Sequence, residues 1–245
     1  MFLACSCGIL PAANTTLAGR YERIFLESQT AFQRQPTNAE AAWQYARACY
    51  DCVDFATNNA QRADLAWLGI AAARASINLR SNLAPAHYYL GINLGCLAEA
   101  TRTLGGLKLV SEMERSFKKA GELEAGFDFA GPDRCLGLLY RDAPGWPISV
   151  GGRAKARQHL ERARELAQDY PENQLNLLEA WIKWGEKKQV VAELKKVEDV
   201  IAAARKKLTG EAWALSWSDW ERRWRGIQSK VADSLHTTTS PKEAR

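Results

Sequence analysis

Gly131–Trp184 reads GPDRCLGLLYRDAPGWPISVGGRAKARQHLERARELAQDYPENQLNLLEAWIKW. Two amphipathic helices flank a loop, and a third helix follows the turn Tyr170-Pro-Glu-Asn173. Small residues fall where the first two helices must touch: Gly137 on one, Ala156 and Ala163 on the other. A pair of antiparallel helices with small residues at the seam buries only part of its apolar surface by itself. It completes its core by stacking on further pairs.

Working outward, one segment after another has helical periodicity. The pattern predicts helices over 20–33, 38–55, 60–79, 84–103, 107–125, 131–141, 153–167, 173–184, 187–208 and 211–235, with Thr37 as the cap of the second. No alternating strand pattern of useful length interrupts them. The expected class is all-α, a solenoid of about four helix pairs closed by a C-terminal capping helix. The expected organisation is a leader-like segment at 1–19, a helical domain at 20–235 and a disordered polar tail at 236–245.

The junctions repeat. Thr37–Ala46, Asn82–Gly91, Ala130–Gly137 and Asp169–Leu177 each resemble the start of a tetratricopeptide unit, with Trp43 at that family's aromatic position. Gly91 and Gly137 lie farther apart than the usual repeat of about 34 residues, so the repeats are degenerate and carry insertions.

Composition narrows the function classes. Of 245 residues, 47% are hydrophobic and 25% charged, which is ordinary for a globular chain. The net charge of +5 is modest and gives no reason to propose nucleic acid. No run reaches the roughly 18 apolar residues of a membrane span. The start, MFLACSCGILPAANTTLA, has fragments of an export signal, and Leu3-Ala4-Cys5 resembles the end of a lipoprotein signal with Cys5 as the lipidation site. On that reading the protein is periplasmic or envelope-attached; otherwise it is cytoplasmic.

Cys49, Cys52, Cys96 and Cys135 fall inside predicted helices. Cys49-Tyr-Asp-Cys52 has redox spacing but sits near the end of its helix, whereas thiol activation needs the beginning. A Cys96–Cys135 bridge is open if the chain is exported. His87, His159 and His236 are scattered, so no metal site and no cofactor is expected. Phosphate loops, GxSxG, HExxH and EF-hand loops are absent from the sequence, which leaves no positive reason to propose an enzyme.

Two features exceed the scaffold. Asp142–Gly152 is a loop of about ten residues where such a hairpin usually turns in about three. Pro144 and Pro147 stiffen it around Trp146, which either contacts a partner or plugs its own helix pair. Trp213, Trp217, Trp220 and Trp224 form one stripe on the last helix, with Asp219, Arg222 and Arg223 opposite. The stripe caps the stack, or it docks on a partner, a second subunit as in a homo-oligomer, or a membrane surface. Repeat geometry places Gln44, Asp51, Tyr88, Arg134, Arg141, Glu179 and Lys183 as exposed residues of the concave groove, a mixed set suited to a protein segment or an amphipathic ligand.

Within the tetratricopeptide-like proteins, the leader-like Leu3-Ala4-Cys5, the inserted repeats and the extended loop before Arg153–Ala163 resemble the T-component of TRAP transporters. That resemblance implies an accessory subunit that engages a periplasmic solute-binding protein or a small apolar ligand, in a cavity lined by Trp146. Ala86-His87-Tyr88 is similar to the regulator of microtubule dynamics family, which ranks second because the feature is generic to these repeats. The alternative is a general protein-interaction scaffold.

Overall fold

The computed structural model describes residues 16–101 and 106–238. Residues 1–15, with Cys5, and 239–245 lie outside these residues, whereas 17–19 of the leader-like segment belong to the first helix and 236–238 of the expected tail to the last. Among the described residues ten α-helices follow one another: α1 (Leu17–Arg34), α2 (Ala39–Val53), α3 (Asn59–Leu79), α4 (Ala84–Thr101), α5 (Gly106–Leu123), α6 (Phe127–Asp142), α7 (Arg153–Leu166), α8 (Pro171–Lys183), α9 (Lys187–Lys207) and α10 (Ala214–Thr238). A single 3-10 turn, Glu211–Trp213, precedes α10. No strand occurs among the described residues.

The helix ends have local causes. Thr16 caps α1, its hydroxyl accepting from the Gly19 N–H at 3.2 Å. The cap of α2 is Asn38 rather than Thr37, because the Asn38 side-chain oxygen reaches two orphan donors, the N–H groups of Glu40 (2.9 Å) and Ala41 (3.3 Å). Pro171 opens α8 at a position where its missing N–H costs nothing.

Successive helices pack as antiparallel neighbours, α2 on α3, α4 on α5, α6 on α7 and α8 on α9, with α1 before the first pair and α10 after the last. Small residues permit the closest approaches. A Cβ on Gly137 would stand 2.6 Å from Leu160 Cγ and 3.1 Å from the Leu160 backbone nitrogen. Ala156 and Ala163 are both buried on the facing helix.

The stack has two cores. One runs from Tyr45 to Ala156 and centres on Ile70, Tyr89, Leu94 and Phe117. The other runs from Leu160 to Val231 and centres on Leu175, Leu178, Val197 and Trp220. The tryptophan stripe closes the second core: Trp217 and Trp220 are buried and meet edge to face at 4.9 Å, and the Trp217 indole donates to the Leu208 carbonyl at 2.6 Å. Capping is therefore the role these rings have, and Arg223, expected on the opposite side, instead turns inward to bond Glu179 (2.8 Å) on α8. All four described cysteines, Cys49, Cys52, Cys96 and Cys135, are free, so Cys96 and Cys135 are not bridged.

Candidate interaction surface

The inner helices α2, α4, α6 and α8 carry the residues expected in the groove, but they do not form one exposed row. Gln44 is exposed on α2. Asp51 lies at the end of α2, partly covered and 3.5 Å from Arg47. Arg141, Glu179 and Lys183 do come together. Arg141 and Glu179 approach to 4.0 Å, Lys183 reaches Asp142 at 2.8 Å and the Arg141 carbonyl at 3.3 Å, and Glu179 is shared with Arg223.

Tyr88 and Arg134 are corrections: both are buried, each only 4% exposed. The cause is the backbone at the start of α6. Asp128, Phe129 and Ala130 have φ of 48°, 54° and 62°, a left-handed turn that side chains with a Cβ resist. This turn folds over Arg134, and Arg134 holds it in place. Its guanidinium donates to the Asp128 carbonyl (3.0 Å), the Phe129 carbonyl (3.2 Å), the Asn173 side-chain oxygen (3.3 Å) and the Tyr88 hydroxyl (3.3 Å). It also pairs with the Asp128 carboxylate at 2.6 Å and approaches Glu172 to 3.7 Å. Burial works against the charge on Arg134, but Tyr88, Glu172 and Asp128 outweigh it and keep the guanidinium protonated. A strained backbone over-determined by its surroundings is a mark of functional sites.

Sequence reasoning missed Asp128, Phe129, Glu172 and Tyr50. The first two occupy a left-handed turn with no glycine in it, so the usual signal for positive φ is missing. Phe129 is 40% exposed while stacked on Tyr170 at 4.3 Å, with Trp213 against its edge at 5.9 Å. Tyr50 is 39% exposed, yet burial raises its hydroxyl pKa well above the ordinary value, helped by Cys96 and Glu172. Burial pushes the Asp51 carboxyl up to about 6; Arg47 opposes this, and the carboxylates of Asp128 and Asp54 add to it. Arg20 at the start of α1 pairs with Glu211 at 3.3 Å, so the first and last parts of the stack meet.

The α6–α7 loop is ordered at its base. The Gly151 N–H donates to the Pro144 carbonyl and the Gly152 N–H to the Tyr140 carbonyl, each at 2.9 Å. Gly151 is required by space, since a Cβ there would lie 2.0 Å from the Ala143 carbonyl oxygen. At the tip Trp146 is 88% exposed and Ile148 65% exposed; the Trp146–Pro147 bond is cis. Trp146 is thus neither a plug on its own helix pair nor the lining of an apolar cavity, because the short bridge between Gly145 and Gly151 turns the tip outward. Shallow hollows lie elsewhere, beside Arg34, Pro36 and Arg80 and beside Arg205, Leu208 and Trp217.

The thiols are unsuited to nucleophilic work. Burial pushes Cys49 and Cys96 up to about 12 and Cys52 up to about 11. No group of three or more His, Cys, Asp or Glu among the described residues could hold a metal ion.

A thermophilic TPR protein from Thermus thermophilus superimposes with a TM-score of 0.63 over 86% of this chain and 91% of that chain, at 17% sequence identity. The fold is a tetratricopeptide-like solenoid. Residues 13–128 also match the family model described as regulator of microtubule dynamics protein 1-3, the second of the two families the sequence resembles. Neither match is to a TRAP component. No curated protein matches this chain. The family match ends at Asp128, where the left-handed turn of this tetratricopeptide-like stack begins.

Proposed function

We propose that this chain is a non-enzymatic protein-binding scaffold whose concave face takes an extended protein segment carrying a cation beside an apolar side chain. The observation that carries the reading is Asp128 and Glu172 gathered on Arg134, at 2.6 Å and 3.7 Å, beside the exposed ring of Phe129, with Asp51 and the exposed ring of Tyr50 near enough to feel their charge. Arg134 pairs with Asp128 and Glu172, while burial raises Asp51 to about 6 against the pull of Arg47, so its carboxylate would gain from further positive charge. A lysine or arginine from a bound segment would supply that charge, and the two rings offer area for an apolar neighbour or a cation–π contact.

A photo-crosslinker placed at Tyr50 tests it. The expected result is a discrete set of crosslinked peptides in native extract, each with a basic residue next to the crosslinked position, and their loss in Asp51→Lys. Crosslinks that are diffuse, or unchanged in Asp51→Lys, would overturn the reading. The narrower role, an accessory subunit of TRAP-type transport, rests on the resemblance of the long α6–α7 loop alone. It requires that a periplasmic solute-binding protein be recovered with the wild type and lost with Trp146→Ala.

A further inference from the structure

A second surface lies where the α6–α7 loop meets the α8–α9 turn, at the loop end of these two helix pairs. The two are joined by Lys183 to Asp142 at 2.8 Å, and by Arg153 and Arg157 to Glu186. Residues 141–157 and 183–188 together hold seven Lys or Arg and two acidic residues. That surplus equals the +5 of the whole chain, so the remainder is electrically balanced. Asp142 and Glu186 are already engaged by two cations each. Lys187 and Lys188 are exposed in the first turn of α9, which has no acidic residue. Cations there oppose the helix dipole, so they do not serve the helix and favour an anion outside it. Beside them stand Trp146 and Ile148, the most exposed of the large hydrophobic side chains described.

We propose that this end docks on an anionic lipid bilayer, with Trp146 and Ile148 entering the headgroup layer and Lys183, Lys187 and Lys188 facing lipid phosphates. An apolar tip this exposed needs a matching pocket in a protein but none in a bilayer. Tryptophan is favoured at the membrane interface, and cations near it add attraction to anionic lipid. No described helix is long and apolar enough to cross a membrane, so the contact is peripheral.

The test is co-sedimentation of the full chain with phosphatidylcholine vesicles, with and without about one third phosphatidylserine. The wild type is expected to sediment with the anionic vesicles and to be released by high salt. Trp146→Ala/Ile148→Ala and Lys187→Ala/Lys188→Ala should each weaken the partition by roughly tenfold or more, with unchanged circular dichroism. Tyr50→Ala, on α2, should leave it intact. The first nineteen residues are common to all variants, so variants that bind like the wild type would overturn the proposal. Equal binding to both vesicle types would also overturn it, as would a wild type that ignores vesicles but binds polyglutamate, which would assign the surface to an acidic polypeptide.

Discussion

Arg134 replaces, for three left-handed residues, the support that glycine would otherwise give by having no Cβ. Truncating it leaves the half-covered Asp128 and Glu172 without their cation and the Asp128 carbonyl without its donor, while the Phe129 carbonyl keeps only that of Asn173 at 2.9 Å. Arg134→Met should therefore lower stability by about 3–5 kcal/mol in urea unfolding. Asp51 acts through pH. Its folded pKa of about 6 lies above its ordinary 3.8, so the folded state holds the proton more tightly than the unfolded chain. This contribution is fully present below about pH 4 and is lost as pH rises through about 6. Asp51→Asn should raise stability at neutral pH by about 1–2 kcal/mol and change nothing near pH 4, as unfolding curves at the two pH values would reveal. At this scale the sequence is least legible. Repeat geometry aimed Tyr88 and Arg134 at the groove, but a side chain's direction does not show whether backbone from another segment covers it. Nothing in Asp128-Phe-Ala130 announces positive φ.

Helices, by contrast, are read well from periodicity, because each buries one stripe against its neighbours. The predicted and observed boundaries agree within a few residues except at the start of α6, where the right-handed part begins at Gly131, as the pattern predicts, and the three left-handed residues precede it. Gly137 marks the closest approach of α6 and α7. Gly137→Ala should cost about 1–3 kcal/mol, because the backbone of Leu160 cannot step aside. Gly152→Ala meets no atom within 4 Å and should stay within about 0.5 kcal/mol of the wild type; thermal unfolding of the pair distinguishes contact from propensity. The loop's length and stiffness were legible from its prolines and glycines. Its outward aim was not, since that depends on which carbonyls Gly151 and Gly152 find.

Across the whole molecule, the Arg134 cluster lies at the seam of the two cores: Tyr88 belongs to the first, and Tyr170, Asn173's neighbour, to the second. Arg134→Met should therefore also weaken the coupling between the halves, so that hydrogen exchange of α2–α4 and of α8–α10 no longer reports one common opening event. The family match that stops at Asp128 coincides with this joint. Charge is divided as well, with Asp128 and Glu172 gathered on Arg134 and a surplus equal to the chain's whole net charge at the loop end. Of nine tryptophans, only Trp146 stands almost wholly in water; the next most exposed, Trp67, is 54% exposed. Its emission should lie at the red edge of the spectrum and be the first quenched by iodide. The loop thus carries its own optical probe, and whatever settles on it will announce its arrival, and its rate, as a blue shift without any dye.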